Sequence, residues 1–272
     1  MGTLYLVATP IGNLEDISTR ALRVLREASL VAAEDTRHTA KLLSHFSIST
    51  PTTSYFEHNK LTKLDLILER LATDDVALVS DGGFPGISDP GYELIREAVA
   101  RGFTVVPVPG PSAILAALVA SGLPTDAFVY LGFLPRKPND RARLLAANVA
   151  DPRTLICFET PHRLLDSLAD IRRELGDRPL AVCRELTKLH EEIFRGTVSE
   201  AIAHFSGGVR GEITLVIAGR AEPAAETWDE ARIHAALAGL IAQGLERKEA
   251  AKQVAAQSGW ERREVYKIAT QL

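Results

Sequence analysis

The chain of 272 residues is 46% hydrophobic, 24% charged and only 6% aromatic. This composition excludes a disordered chain, and at roughly 150 residues per domain the length predicts about two domains. The 31 basic and 35 acidic side chains give a net charge of −4, so the field of the whole molecule does not attract phosphate. A nucleic-acid partner would therefore have to be held by local basic patches.

Neither export nor membrane insertion is indicated by the sequence. The uncharged stretch 105–125 is broken by prolines and glycines into pieces too short to span a bilayer as a helix. Residues 1–15 lack the pattern of a signal peptide, so we expect a cytoplasmic protein without a membrane partner. Cys157 and Cys183 lie in apolar runs without metal-ligand spacing, which predicts buried small side chains and no metal site.

Apolar runs of strand length alternate with segments of helical periodicity, which predicts an α/β fold with largely parallel strands. The predicted strands, in chain order, are residues 4–8, 30–33, 76–79, 104–106, 128–131, 154–158, 180–183 and 213–218. Helices are expected between them, and three helix starts carry capping signals. These are Asp89-Pro90, Thr160-Pro161 before the apolar helical face of residues 164–175, and Thr197 with Glu200 at capping-box spacing.

Loop signals and composition divide the chain into three parts. Gly122 and Pro124 interrupt the pattern after the first α/β segment. We predict an N-terminal α/β domain over 1–121, a second α/β domain over 122–222 and a helical module over 223–272.

The last segment contains no strand-like run. Residues 247–257 and 261–269 predict two helices joined by the short turn 258–260, an arrangement of helix-turn-helix type. Its basic side chains suit a contact with RNA. A solvated helical pair that caps the protein, or one that binds a partner subunit, explains the same charges equally well.

Polar and turn-forming residues follow four successive predicted strands, at 9–14, 34–38, 80–90 and 109–112. Taken singly, each segment is more simply a tight turn. Because ligands of open parallel sheets bind beyond the carboxyl ends of the strands, the four together predict a cleft for a polar small molecule. None has the spacing of a phosphate-binding glycine loop, which favours a cofactor without phosphates.

Charged residues also follow two predicted strands of the second half. They are Glu159, His162 and Arg163 after one strand, and Arg184, Glu185 and Lys188 after the next. Since strand ends seldom bury unpaired charge, either ion pairing or a functional cleft is required there. The run 136–143 is the densest basic stretch, and it would either contact phosphate or form a solvated loop and helix start.

Seven motifs follow one another over residues 1 to about 220. They are Thr-Pro-Ile-Gly-Asn-Leu at 9–14, Glu-Asp-Thr-Arg at 34–37, the segment 80–91, the segment 107–112, Gly-Phe-Leu-Pro at 132–135, Glu-Thr-Pro-His-Arg at 159–163 and Arg-Glu-Leu-Thr-Lys at 184–188. The series resembles the ribosomal small subunit methyltransferase I family, and the terminal segment looks like the helix-turn-helix appendage of that group.

The resemblance implies transfer of a methyl group from S-adenosylmethionine to the ribose 2′-hydroxyl of a cytidine in the decoding centre of 16S rRNA. It also implies the tetrapyrrole methylase fold, in which two α/β lobes hold the cofactor between them, usually in a homodimer. The substrate would be 16S rRNA, either free or in the 30S subunit.

Similarity to this class places cofactor contacts at motif and strand-end positions. They are Pro10, Asp81, Gly83, Phe84, Ser112, Ala113, Phe158, Leu186 and Glu212. The third loop departs from the family pattern, because Asp-Gly-Gly-Phe-Pro at 81–85 stands where Asp-Ala-Gly-Thr-Pro is usual. The threonine hydroxyl is lost there, so only a backbone contact would survive.

A ribose hydroxyl is a weak nucleophile near neutral pH, so a base is expected within hydrogen-bond reach of it. The clustering of acids at strand ends favours Glu185 or Asp35 for this role. Basic side chains are expected to hold RNA phosphates. They are Arg37, Arg136, Lys137, Arg163, Lys188, Arg262 and Arg263.

Two other functions stay open at this point. The same fold could methylate a tetrapyrrole or another small metabolite, since fold does not fix substrate. A non-catalytic RNA-binding protein could use the terminal module alone. The basic terminal helices and the run 136–143 argue against the first of these.

Overall fold

The first half of the chain forms a parallel five-stranded sheet in the computed structural model, which describes residues 1–56, 60–221 and 228–272. The strands are β1 (Thr3–Val7), β2 (Leu30–Ala33), β3 (Thr52–Ser54), β4 (Val76–Val79) and β5 (Thr104–Val108). They pair in the order β3-β2-β4-β1-β5, each pair parallel. The central strands β2, β4 and β1 are mostly apolar because a parallel sheet is covered on both faces.

Helices cover both faces of this first sheet. They are α1 (Thr19–Glu27), α2 (Thr36–His45), α3 (Lys60–Leu71) and α4 (Tyr92–Ala100), and a further helix, α5 (Ala113–Ser121), follows β5. Because successive side chains point to opposite faces, Val7 and Val31 pack with Leu25 of α1, whereas Leu4 packs with Ile67 of α3. The sheet is thus fixed between two separate apolar layers.

The second half forms a mixed five-stranded sheet. Its strands are β6 (Phe128–Phe133), β7 (Thr154–Glu159), β8 (Pro179–Arg184), β9 (Glu192–Thr197) and β10 (Ile213–Ile217), and its helices are α6 (Pro138–Ala147), α7 (Leu164–Leu175) and α8 (Val198–His204). The order is β6-β7-β10-β8-β9, and only β6 and β7 pair in parallel. The expectation of largely parallel strands is therefore wrong for this half, where the short connection between β8 and β9 forces an antiparallel hairpin.

The eight predicted strands are confirmed, and two strands were not predicted. Both, β3 and β9, lie at the edge of a sheet. Edge strands need no long apolar run, because one side has no neighbouring strand, and the letters of β3 are all polar.

One of the three predicted helix starts, at Thr197, behaves as the spacing predicts, whereas the N-cap of α7 is Arg163 rather than Thr160. Thr197 and Glu200 form a full capping box at the start of α8. Thr160 precedes a 3₁₀ turn that leads into α7, although its side chain makes no capping hydrogen bond. The prediction at Asp89 is wrong, because Gly91 is the N-cap of α4, with φ of 145°. A side chain at Gly91 would approach the backbone nitrogen of Gly86 to 3.0 Å, so glycine is required there.

Helix α5 belongs by sequence to the first half but packs on the second sheet. Its buried Ala117 and Leu118 contact Ile156 of β7, Ala181 of β8 and Val216 of β10. The chain divides into two compact units, Met1–Gly219 and Arg220–Leu272, so both sheets lie in one unit. The domain limit at 121/122 stays a prediction, and the limit at 222/223 lies outside the described residues.

The unit from Arg220 to Leu272 is helical in its described part. It contains α9 (Glu230–Ala242), α10 (Arg247–Ser258) and α11 (Arg262–Ala269). Apolar residues of all three helices, among them Ile233, Val254 and Val265, form its core. Gly259, in the left-handed region at φ of 71°, ends α10 and allows the turn into α11. The two predicted helices of this segment are confirmed.

Within the described ranges no helix is long and apolar enough to cross a membrane. Cys157 and Cys183 are both buried and free, as predicted. Burial raises the pKa of the Cys183 thiol to about 11, so it stays protonated at neutral pH.

Candidate functional site

Loops from both halves of the unit Met1–Gly219 line a cavity of about 760 Å³. From the first half come residues 10–14, 81–89 and 112–114, which follow β1, β4 and β5. From the second half come residues around the ends of β7 and β8 and the start of β10. The volume is in the range of small-molecule binding sites, about 300–1,000 Å³.

Backbone pairing fixes the first and third loops against each other. The Thr9 nitrogen donates to the Gly83 oxygen at 3.0 Å, and the Gly83 nitrogen donates back to the Thr9 oxygen at 2.9 Å. The Thr9 hydroxyl also donates to the Ser80 carbonyl oxygen at 3.0 Å. Gly83 has φ of 83°, a conformation in which other residues are strained. The cavity wall at Pro10 and Asp81 is therefore held by main-chain bonds rather than by side chains alone.

Ser112 caps α5 at the cavity wall. Its hydroxyl accepts from the Leu115 nitrogen at 3.4 Å, and Ser112, Ala113 and Ile114 all line the cavity. A helix N-terminus presents unpaired N–H groups and a partial positive charge, which suits a carboxylate. This end of the cavity can therefore bind the carboxylate of an amino-acid group.

A lysine and two glutamates form a cluster at the second-half wall. Lys188 Nζ donates to Glu185 Oε1 at 2.9 Å and to Glu212 Oε2 at 3.1 Å. The Glu212 nitrogen donates to the same Glu185 oxygen at 2.9 Å. Hydrogen bonds from Lys188 and from the Glu212 backbone lower the pKa of Glu185, so it is ionised at neutral pH.

The loop that carries this cluster is strained. Glu185 and Thr187 have φ of 50° and 68°, in the left-handed region that non-glycine residues rarely adopt. Such strain is concentrated at functional sites, where neighbouring structure holds it in place. The loop is held against Gly12 of the first half, where an added Cβ would lie 2.4 Å from Lys188 Cγ.

Glu159 lies at the cavity wall but is not free to react. It is only 2% exposed, and its carboxylate accepts from the Ser167 hydroxyl and the Thr160 nitrogen. Arg163 Nη2 lies 2.5 Å from the same carboxylate, and its Nη1 donates to the Leu134 oxygen at 3.0 Å. Arg163 thus closes a structural network instead of facing solvent.

Glu34, Asp81 and Asp89 approach one another on the first-half side of the cavity, where Asp81 and Asp89 line the wall. The Asp35 nitrogen donates to Asp81 Oδ1 at 3.2 Å, and the Asp81 nitrogen donates to Glu34 Oε2 at 3.5 Å. Asp89 faces both carboxylates. Burial and the charge of Glu34, with a smaller contribution from Asp81, raise the pKa of Asp89 to about 7, against an opposing hydrogen bond from Ser80.

Comparison with known proteins identifies the family to which these motifs belong. A family model described as Tetrapyrrole (Corrin/Porphyrin) Methylases matches residues 3–202. Three curated relatives are each named Ribosomal RNA small subunit methyltransferase I. The relative from Halalkalibacterium halodurans is 48% identical, over 98% of this chain and 94% of the relative. The relative from Synechocystis is 47% identical, over 100% of this chain and 99% of the relative. The relative from Thermotoga maritima is 50% identical, over 81% of this chain and 100% of the relative. The chain belongs to this methyltransferase family.

Two solved structures share the fold. Uroporphyrin-III C-methyltransferase from Thermus thermophilus, solved in complex with S-adenyl homocysteine, superposes with a TM-score of 0.56 at 22% identity, over 80% of this chain and 97% of that chain. A diphthine synthase superposes with a TM-score of 0.59 at 17% identity, over 80% and 90%. The predicted two-lobed α/β fold with a helical C-terminal module is confirmed.

In this family member, the nine residues predicted to contact the cofactor all line the single cavity described above. They are Pro10, Asp81, Gly83, Phe84, Ser112, Ala113, Phe158, Leu186 and Glu212. Phe84 contributes a ring where the family usually has threonine. The assignment of these residues to a cofactor stays a prediction, but the fold brings together positions up to about 200 residues apart in sequence.

The two acids predicted as bases lie next to the cavity rather than on its wall. The Asp35 side chain accepts from the Arg37 backbone at 2.8 Å and pairs with the Arg37 guanidinium, which holds its pKa well below the usual range. Glu185 is held by Lys188, as described above. Both are ionised at neutral pH but are poor proton acceptors, because a cation stabilises their charged form.

The predicted RNA-binding residues have different environments. Lys188 lines the cavity, while Arg163 is tied to Glu159. Arg37 is 88% exposed. Arg136, Lys137, Arg262 and Arg263 are exposed too, the last two on the first turn of α11.

Several residues of the cavity wall were not among the predicted cofactor contacts, although most of them lie in the segments predicted to form the cleft. They are Ile11, Leu14, His38, Ile87, Asp89 and Phe133 among others. Asp89 lies inside the third polar loop, yet its position before Pro90 suggested a helix cap instead. The loop position was the available signal, and it was outweighed by a local capping pattern.

Proposed function

We propose that this protein transfers a methyl group from S-adenosylmethionine to the ribose 2′-hydroxyl of a cytidine in the decoding centre of 16S rRNA, in the cytoplasm. One observation carries the proposal. All nine predicted cofactor residues line one cavity in a chain that is 48% identical, over 98% of its length, to a relative named Ribosomal RNA small subunit methyltransferase I.

The cavity suits S-adenosylmethionine in size and chemistry. Phe84, Phe158 and Leu186 provide apolar surface for a nucleoside base. The N-terminus of α5 at Ser112 suits the methionine carboxylate, and Asp81 can accept hydrogen bonds from ammonium or ribose groups. When bound, the cofactor supplies a methyl group on a positively charged sulfur that is a good leaving group.

Catalysis by this chain consists mainly of positioning. Methyl transfer is an in-line displacement, so the loops must hold the ribose oxygen about 3 Å from the methyl carbon. The main-chain pair between Thr9 and Gly83 keeps one wall rigid. On the other wall Glu185 orients Lys188, whose ammonium group can hold a phosphate next to the target ribose.

Exposed basic residues are proposed to hold the rest of the RNA. Arg37, Arg136 and Lys137 belong to the unit that contains the cavity, and Arg262 and Arg263 belong to the helical unit. Each would contact phosphate, with no sequence information of its own. We also propose that the protein is a homodimer, as the resemblance implies; sedimentation of the purified protein tests this.

The proposal is tested by offering the purified protein methyl-labelled S-adenosylmethionine with 30S subunits, naked 16S rRNA or a precorrin. Label is expected in a ribose of 16S rRNA, and cells that lack the protein are expected to lack that methylation. Label in the precorrin alone would instead identify a metabolite methyltransferase. If the protein does not bind the cofactor at all, the remaining function is that of a non-catalytic RNA-binding protein.

A matched pair of variants ties the activity to the cavity. Ala113→Phe places a ring in the cavity and is expected to abolish cofactor binding. Ala146→Phe adds the same ring at an exposed position of α6 and is expected to bind normally. Equal binding by both variants would contradict the placement of the cofactor.

A further inference from the structure

Among the described residues, the carboxyl side chains that line the cavity are Asp81, Asp89, Glu159 and Glu212. The Glu159 carboxylate is enclosed by its ion pair and hydrogen bonds, and the Glu212 carboxylate is paired with a lysine. Asp81 accepts a backbone hydrogen bond at 3.2 Å. In the described part of the chain no arginine, lysine or histidine pairs with Asp81 or Asp89, and of these two Asp81 is exposed whereas Asp89 is half-buried.

The surroundings of Asp89 favour proton uptake. Glu34 and Asp81 face it from the loops after β2 and β4, and their negative charges disfavour a third charge between them. Tyr130 of β6 approaches from the second half, where its hydroxyl lies 2.6 Å from the Ser88 hydroxyl. Burial of Asp89 between these groups brings its pKa close to the working pH, as a general base requires.

Resting on the proposed function, we infer that Asp89 is the general base that takes the proton of the ribose hydroxyl during methyl transfer. In that step the 2′ oxygen forms a bond to the methyl carbon, and the bond from that carbon to sulfur breaks with its electron pair staying on sulfur. The hydroxyl proton moves to an Asp89 carboxylate oxygen, and Asp89 later releases it to water.

This assignment keeps the charge of the cavity constant during the reaction. The positive charge on sulfur disappears in the same step in which Asp89 loses its negative charge. A carboxylate near a cation is stabilised in its charged form, and it loses that stabilisation when the cation is removed. Asp89 is therefore a good partner for the positive sulfur before transfer and a good proton acceptor at the moment when that charge vanishes.

The assignment predicts a difference between two ligands that share all other groups. S-adenosylmethionine has a positive sulfur, whereas S-adenosylhomocysteine has a neutral one. Deprotonated Asp89 favours the first over the second, and protonated Asp89 does not. The preference for S-adenosylmethionine should therefore decrease when the pH is lowered and Asp89 becomes protonated. In the free protein this protonation occurs at about pH 7.

Calorimetric titration of the full-length protein with each nucleoside measures this ratio without any turnover. Between about pH 8 and about pH 5.5 we expect the preference for S-adenosylmethionine to fall about tenfold or more in the wild-type protein. In Asp89→Asn the ratio should not change with pH, and continued binding of S-adenosylhomocysteine shows that this variant is folded. The exposed Asp126→Asn serves as a matched control and should behave like the wild type.

His38 requires its own control because it also lines the cavity. The effect of this imidazole on the ratio must be measured separately from that of Asp89. His38→Gln is expected to keep the pH dependence of the ratio. Loss of that dependence in His38→Gln but not in Asp89→Asn would overturn the assignment.

Single-turnover methylation at saturating cofactor gives the second readout. In the wild type the rate constant should rise with pH as Asp89 loses its proton. Asp89→Asn should lower this rate constant by about 10²- to 10⁴-fold and make it independent of pH, while Asp89→Glu should recover part of the rate. If Glu185→Gln or Asp35→Asn removes the rise with pH and Asp89→Asn keeps it, the base is one of those acids and the assignment fails.

The two proposals fail in distinguishable ways. A wild-type protein that binds neither nucleoside contradicts the proposed function itself. One that binds both with a ratio independent of pH contradicts only the role of Asp89.

Discussion

Gly12 lies at the cavity wall against the second half of the chain. An added Cβ would lie 2.4 Å from Lys188 Cγ and 2.9 Å from the Thr187 hydroxyl oxygen, on a loop that is already strained. Gly12→Ala must therefore displace Lys188 from Glu185 and Glu212. We expect cofactor affinity to fall by about tenfold, equivalent to about 1.4 kcal/mol.

Calorimetry on Gly12→Ala tests this expectation, with Gly239→Ala as the control. Gly239 lies within α9, where an added Cβ meets no atom within 4 Å, and alanine favours the helix. Gly239→Ala should bind the cofactor like the wild type. Unchanged binding by Gly12→Ala would show that the close approach of Gly12 to the loop of Lys188 is not needed for cofactor binding.

A second residue-scale prediction concerns the basic run 136–143, whose arginines have different environments. Arg141 is buried, its Nε donates to Asp170 Oδ2 at 2.6 Å, and its side chain is 5% exposed. The Arg143 side chain is 81% exposed. Arg141→Ala leaves a buried carboxylate with one partner fewer, so the free energy of unfolding should fall by about 3 kcal/mol.

Urea denaturation of the two alanine variants measures this difference. Arg143→Ala should stay within about 0.5 kcal/mol of the wild type, because exposed ion pairs contribute little. A loss of less than about 1 kcal/mol for Arg141→Ala would contradict a structural role for the buried pair.

At the scale of elements, the capping box at the start of α8 is a short-range device that the sequence already displays. Thr197 accepts from the Glu200 nitrogen at 3.3 Å, and the Glu200 carboxylate accepts from the Thr197 nitrogen at 2.7 Å. Thr197→Ala removes one of these bonds and should lower the free energy of unfolding by about 1 kcal/mol. Thr197→Ser keeps the hydroxyl and should change it little.

Thermal unfolding of the two variants side by side checks the prediction. If alanine and serine destabilise the protein equally, the effect comes from the lost methyl group of threonine and the hydrogen bond contributes nothing measurable.

The edge strand β3 differs from the capping box because no short-range sequence pattern predicts it. Its formation depends on pairing with the neighbouring strand β2.

At the scale of the whole molecule, every described residue that lines the cavity belongs to the unit Met1–Gly219. Deletion of residues 220–272 should therefore leave cofactor affinity within about twofold of the full chain, or about 0.4 kcal/mol. Affinity for 16S rRNA should fall, because exposed basic residues of α10 and α11 are lost. Calorimetry and RNA filter binding measure the two effects separately.

A matched pair in the full chain refines this test. The double change Arg262→Ala with Arg263→Ala removes two predicted phosphate contacts. The slope of log affinity against log salt concentration should therefore decrease in magnitude by about two. Arg101→Ala, an exposed arginine paired with Asp65, should leave it unchanged. An unaltered salt slope in the double variant would assign the helical unit a role other than RNA contact.

The sequence by itself determined the eight apolar strands, the last two helices, the capping box and the motif series, because these depend on short-range periodicity and spacing. The nine predicted cofactor positions came from motif order, and they lie on one cavity.

Only the tertiary structure decided the direction of the strands in the second sheet, the burial of Arg141 and the environment of Asp89. Each depends on groups far apart in the chain, and the charge state of a carboxyl group is set by the groups that surround it in space. Glu34, Asp81 and Tyr130 come from three different loops and strands, so no local pattern could show that they meet at Asp89.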